Sequence, residues 1–166
     1  YVELSPEVTS HAKNEEFNIE LNINTEDEAP KTSDVLVLFD ESKLSLVEIV
    51  EPEESEKFFP VFFQRVVNNK MYIGAAIRPE GQAPSGEGKL ATIKFKGIAD
   101  GQTTVSILCE PGRTNDSNIT LKKNSRVTDI IDCTKVNETT VNIGELSTSP
   151  TPGPSDDPSV SPSPSP

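Results

Sequence analysis

Three observations on this chain predict an all-β fold, an antiparallel sandwich of nine strands. Apolar and polar residues alternate one for one in several short runs, clusters of Pro, Gly, Asn and Asp separate those runs, and no stretch carries the periodicity of a long amphipathic helix. The first strand is expected over YVEL, residues 1–4. In residues 17–23, Phe17, Ile19, Leu21 and Ile23 alternate with Asn18, Glu20 and Asn22, the period-2 pattern of a strand with one dry face. Turn formers over residues 25–34 end it, and VLVLF, residues 35–39, follows, apolar on both parities and stopped by Asp40.

Leu44, Leu46, Val47 and Ile49 mark the next strand, and an acidic loop holding Pro52 leads to FFPVFF, residues 58–63. Pro60 has no N–H to give a ladder, so this strand belongs at an edge or carries a bulge. MYIGAAI, residues 71–77, is strand-like, and residues 78–88 are a Pro- and Gly-rich loop. KLATIKFK, residues 89–96, sets Ala91, Ile93 and Phe95 on one face and Thr92 and Lys94 on the other. The turn at Asp100-Gly101 leads to TTVSIL, residues 103–108, and TTVNI, residues 139–143, completes the nine. Residues 110–135 receive no assignment.

Residues 1–146 are expected to form one domain, and residues 147–166, STSPTPGPSDDPSVSPSPSP, a disordered Pro/Ser/Thr linker. With almost nothing to bury, that segment is an extended spacer able to reach roughly 60 Å. A tether of this kind implies a modular secreted or cell-surface protein, with a signal peptide or module expected before Tyr1 and another beyond the linker. The formal charge of −12 disfavours nucleic acid and anionic membrane surfaces as partners. No apolar run is long enough to span a bilayer, so no membrane insertion is expected in this segment.

Cys109 continues the inward parity of Val105 and Ile107, and Cys133 that of Ile131, so both thiols are expected in the core, paired as a disulfide. Reduced core cysteines are the alternative; a zinc site is disfavoured because His11 is the sole histidine.

Several runs together carry a resemblance: VELSPE at 2–7, FNIELNI at 17–23, VLVLFDESKLSLVEI at 35–49 and GEGKLATIKFKGIADGQTTVSI at 86–107. In this order and spacing the chain resembles a bacterial cohesin or cohesin-like module, a nine-stranded jelly roll of the kind that also includes several carbohydrate-binding modules. The resemblance implies a non-catalytic, extracellular protein-binding module whose partner is a dockerin-like module, a paired calcium-binding helical unit. The chain departs from the usual cellulosomal pattern in FFPVFF and in its cysteine pair.

The residues themselves argue against an enzyme, since a Ser or Cys nucleophile lacks a nearby histidine base. No cofactor is expected, although Asn115, Asp116 and Asn118 cluster hard oxygens that could take calcium. Asn115, Asn118 and Asn137 also match the N-glycan acceptor pattern. If Val35, Val37 and Phe39 face inward, Leu36 and Leu38 face outward, and Met71, Ile73 and Ala75 inward leave Tyr72 and Ala76 outward. One of each Phe pair in FFPVFF is expected outward as well. Leu36, Leu38, Tyr72 and Ala76 are therefore the candidate partner-binding residues, on an apolar patch rimmed by charge. The alternatives are polysaccharide binding on the same fold, with Tyr1, Tyr72 and the Phe cluster as the available rings, and a structural stalk or adhesin segment.

Overall fold

The structure, a computed structural model, describes residues 1–113 and 115–144; the expected linker over 147–166 lies outside the described residues. These residues form twelve strands: β1 (Val2–Ser5), β2 (Val8–His11), β3 (Glu16–Asn24), β4 (Thr32–Leu38), β5 (Leu44–Val50), β6 (Val61–Val67), β7 (Lys70–Ala76), β8 (Glu87–Gly97), β9 (Gly101–Ile107), β10 (Asn118–Lys123), β11 (Arg126–Asp129) and β12 (Glu138–Ile143). They build two sheets. One has the order β1-β3-β8-β5; the other runs β11-β10-β4-β9-β12-β2, with β7 on the free side of β4 and β6 outside β7.

The alternation in the sequence is what closes the sandwich. Ile19, Leu21, Ala91, Ile93 and Phe95 from the first sheet meet Val35, Val37, Met71, Ile73, Val105 and Val141 from the second, all nearly water-free. Phe95 sits at the centre, 5.3 Å from Phe39 and 6.1 Å from Phe17 between ring centroids. The two sheets approach closely at Gly97 of β8, where an added Cβ would lie 2.6 Å from Ile143 of β12. Asn137 fastens β1 to this frame, since its side-chain oxygen accepts from Leu4 N–H at 2.7 Å and its amide donates to Leu4 C=O at 2.9 Å.

Nine strands were expected and three more appear. The opening strand ends at the Pro6 turn, after which the unassigned β2 joins the second sheet, parallel to β12. β10 and β11 form a hairpin whose central residues Asn124 and Ser125 both have positive φ, as a type I′ turn requires. The expected strand at FFPVFF begins later. Phe58 and Phe59 are both buried, edge to face, before Pro60, and the strand proper starts at Val61. So the outward Phe expected from the first pair is absent. The second pair does split, Phe62 half-buried and Phe63 exposed, and β6 is an edge strand.

Cys109 and Cys133 are bonded, with Cα atoms 5.5 Å apart. The cystine is not in the core, however. Both residues are half-exposed and line an open cleft of about 610 Å³ beside Glu7 and Val8, because each lies just past the end of a ladder where inward parity no longer applies.

Candidate docking face

Strand β4 has β7 on one side and, on the other, β10 along its first half and β9 along its last two residues. The outer surface of β9-β4-β7-β6 is therefore one continuous face. Its positions follow from register: Asp34 lies opposite Gly74, Leu36 opposite Tyr72 and Leu38 opposite Lys70, while Gly74 in turn faces Phe63 and Tyr72 faces Arg65.

Of the four expected binding residues, Tyr72 is 43% exposed, Leu38 and Ala76 are half-buried, and Leu36 is buried at 5%. Leu36 is the correction. Its parity is outward, but the excursion between β9 and β10 is clamped beside it: Leu36 N–H donates to Ser117 Oγ at 3.0 Å and its carbonyl accepts from Leu108 N–H at 2.9 Å. Most of that excursion, including Ser117, belongs to residues 110–135, the stretch to which periodicity gives no assignment.

Phe63, missed as an individual site residue, is the most exposed aromatic side chain of the face at 51%. Its ring rests on the backbone of Gly74, where a Cβ would meet ring carbons at 1.9 Å, so only glycine leaves room for it. The signal was legible as a lone Gly within MYIGAAI, since a glycine inside a strand often marks the close approach of another group. Val61 and Val67 extend the apolar band along β6. Beyond Leu38 the face dips into a shallow depression of about 530 Å³ lined by Asp40, Asn69, Gln102, Thr104 and Ser106.

The charge on this face differs from that of the whole chain. Arg65 and Lys70 are exposed at its β6-β7 end, and Asp34 is its one outward carboxylate on these four strands. Lost hydration holds the Asp34 carboxyl above the usual carboxylate range, although part of the side chain still reaches water.

The calcium candidates are placed differently. Asn115 is exposed, while Asp116 is buried, one carboxylate oxygen accepting from Glu110 N–H at 2.5 Å and the other without a hydrogen-bond partner. Asn118 donates its amide to the Asp116 carbonyl at 2.7 Å. Among the described residues no group of three His, Cys, Asp or Glu side chains is placed to hold a metal. His11 is engaged through both ring nitrogens, with Thr9 at 2.6 Å and Glu15 at 3.2 Å, and stacks on Phe17.

No family model and no curated protein sequence matches the chain. Solved structures do match in fold. The seventh ScaB type I cohesin from Pseudobacteroides cellulosolvens is similar with a TM-score of 0.66 at 13% identity, over 87% of this chain and 92% of that one. The sixth cohesin of scaffoldin B from Acetivibrio cellulolyticus, solved in complex with a Cel5 dockerin, gives 0.63 at 14% identity, over 86% and 96%. A non-cellulosomal cohesin from the archaeon Archaeoglobus fulgidus gives 0.58 at 14% identity, over 86% and 88%. The chain has the cohesin fold.

Proposed function

We propose that this chain is a non-catalytic protein-binding module that takes a dockerin-like partner on the outer face of β9-β4-β7-β6. One observation carries the reading: a sandwich with the fold of cohesins keeps Phe63 and Tyr72 exposed beside Leu38 and Ala76 on a single sheet face. Exposed aromatic area on a flat surface is the usual anchor of a protein interface. Arg65 and Lys70 at one end favour a partner whose apolar patch is flanked there by carboxylates. The reading places the module outside the cell; among the described residues no helix is long and apolar enough to cross a membrane.

Titration of the chain with a panel of dockerin modules by calorimetry tests this. Saturable one-to-one binding lost in Tyr72→Asp is the expected result, and no binding across the panel would overturn it. The two exposed rings also support a second reading, polysaccharide binding, which retention on insoluble cellulose or chitin with no dockerin binding would establish instead.

A further inference from the structure

Among the described residues five strands end the two sheets: β1, β5, β2, β11 and β6. A free edge presents unpaired N–H and C=O groups to any other strand, and folded proteins blunt it by shortness, bulges or charge. Four of the five are blunted. β1, β2 and β11 are four residues each, and β5 is interrupted by a bulge between Leu46 and Glu48, with Glu48 exposed. β6 is the least blunted of them. It is seven residues long, in unbroken register with β7 from Val61↔Ala76 to Val67↔Lys70, and Arg65 is its single charge.

The order of residues along β6 is close to symmetric about Gln64: Val-Phe-Phe-Gln-Arg-Val-Val. We propose that β6 is a self-association edge, through which two copies of this chain pair antiparallel about a two-fold axis at Gln64 and join their larger sheets into one. This register pairs all seven residues. Val61 meets Val67 of the second copy, Phe62 meets Val66, Phe63 meets Arg65 and Gln64 meets Gln64. Opposed residues in an antiparallel pair share a face, so apolar side chains meet apolar ones and the guanidinium lies against a ring rather than against its own copy. Val66, 46% exposed on the inner row of an edge that overhangs the core, gains Phe62 of the second copy as cover.

Each copy carries a formal charge of −12, so long-range repulsion opposes the pairing and salt relieves it. A single added strand pair buries less than the roughly 1,200 Å² of a standard interface, which makes the dimer concentration-dependent. Pairing at the edge leaves Tyr72, Leu38 and Ala76 of the outer face open, while Phe63 and Arg65 lie at the seam. Gln64 lies on the opposite side of the sheet from Tyr72 and Phe63, so loss of dimerisation and loss of partner binding are separate outcomes, and neither failure carries the other.

Sedimentation velocity on the full chain, from micromolar to near-millimolar protein at two salt concentrations, tests the proposal. A monomer–dimer equilibrium that tightens with salt is expected. Gln64→Glu and Gln64→Lys each set like charges face to face on the axis and should weaken the dimer about tenfold or more. Mixing the two variants in equal amounts should restore a heterodimer. Gln64 is exposed, so both variants should melt as the parent does. A parent chain that stays monomeric at the highest concentration would overturn the proposal, as would a Gln64→Glu dimer of parental strength or a mixture that forms no heterodimer.

Discussion

The two outer faces of the sandwich are built from similar strands and look nothing alike. On the smaller sheet the outward rows of β3 and β8 are Glu16, Asn18 and Glu20 against Lys96, Lys94 and Thr92, and Lys89 reaches Glu20 at 2.8 Å. On the larger sheet the corresponding surface carries Phe63, Tyr72, Leu38 and Ala76. Both faces sit on the same core, so the core does not require outward apolar side chains. The smaller sheet shows that this fold accommodates a solvated outer face; on the proposed function, the apolar face of the larger sheet serves docking.

The largest effect should come from what the two faces share. Phe95→Ala removes the ring between the sheets and should cost about 3–5 kcal/mol by chemical denaturation. A loss below about 1 kcal/mol would mean the sheets do not depend on this packing.

Next comes a pair on one strand of the apolar face. Leu36→Asp buries a charge under the 108–117 excursion and should destabilise by about 3 kcal/mol or more, whereas Leu38→Asp, half-buried on the same row, should cost about 1 kcal/mol. Equal melting temperatures for the two would show that the excursion does not cover Leu36.

The comparison of faces is tested most directly by one charge on each. Tyr72→Asp should weaken dockerin binding by roughly 2 kcal/mol or more while moving stability by only about 0.5 kcal/mol, and Lys94→Glu on the opposite face should leave binding as it is. Binding lost through Lys94→Glu and retained in Tyr72→Asp would move the docking site to the smaller sheet.

The smallest effect is electrostatic. The Asp34 carboxyl titrates above its ordinary value because the folded face desolvates it. The folded state therefore holds its proton more tightly than the unfolded chain does, and ionised Asp34 costs stability above its folded pKa. That cost disappears as pH falls below the unfolded value. Asp34→Asn should accordingly raise the melting temperature slightly at neutral pH, with the gain fading in acid. A gain that persists unchanged at low pH would assign it to something other than this charge.

How much of this was legible in the sequence depends on how local the cause is. The core rows of β3 and β8 could be read directly, because strand alternation is a property of neighbouring residues, and every second side chain must enter the core once one does. The outward parity of Tyr72 followed from the same rule. The split of the second Phe pair was legible too, but the seat of the Phe63 ring was not, since a lone Gly74 signals a close approach without saying which group makes it.

By itself, then, the sequence determined the class of the fold and the inward rows of its central strands. Only the tertiary structure decided which outward residues stay outward. Leu36 and Leu38 carry the same local pattern, and one is covered because Ser117, 81 residues further along, bonds its backbone. The cystine likewise moved from the expected core to the rim, because parity holds only while a ladder continues and both cysteines lie past the end of theirs. Periodicity reports the direction of a side chain; its burial depends on what the rest of the chain brings over it.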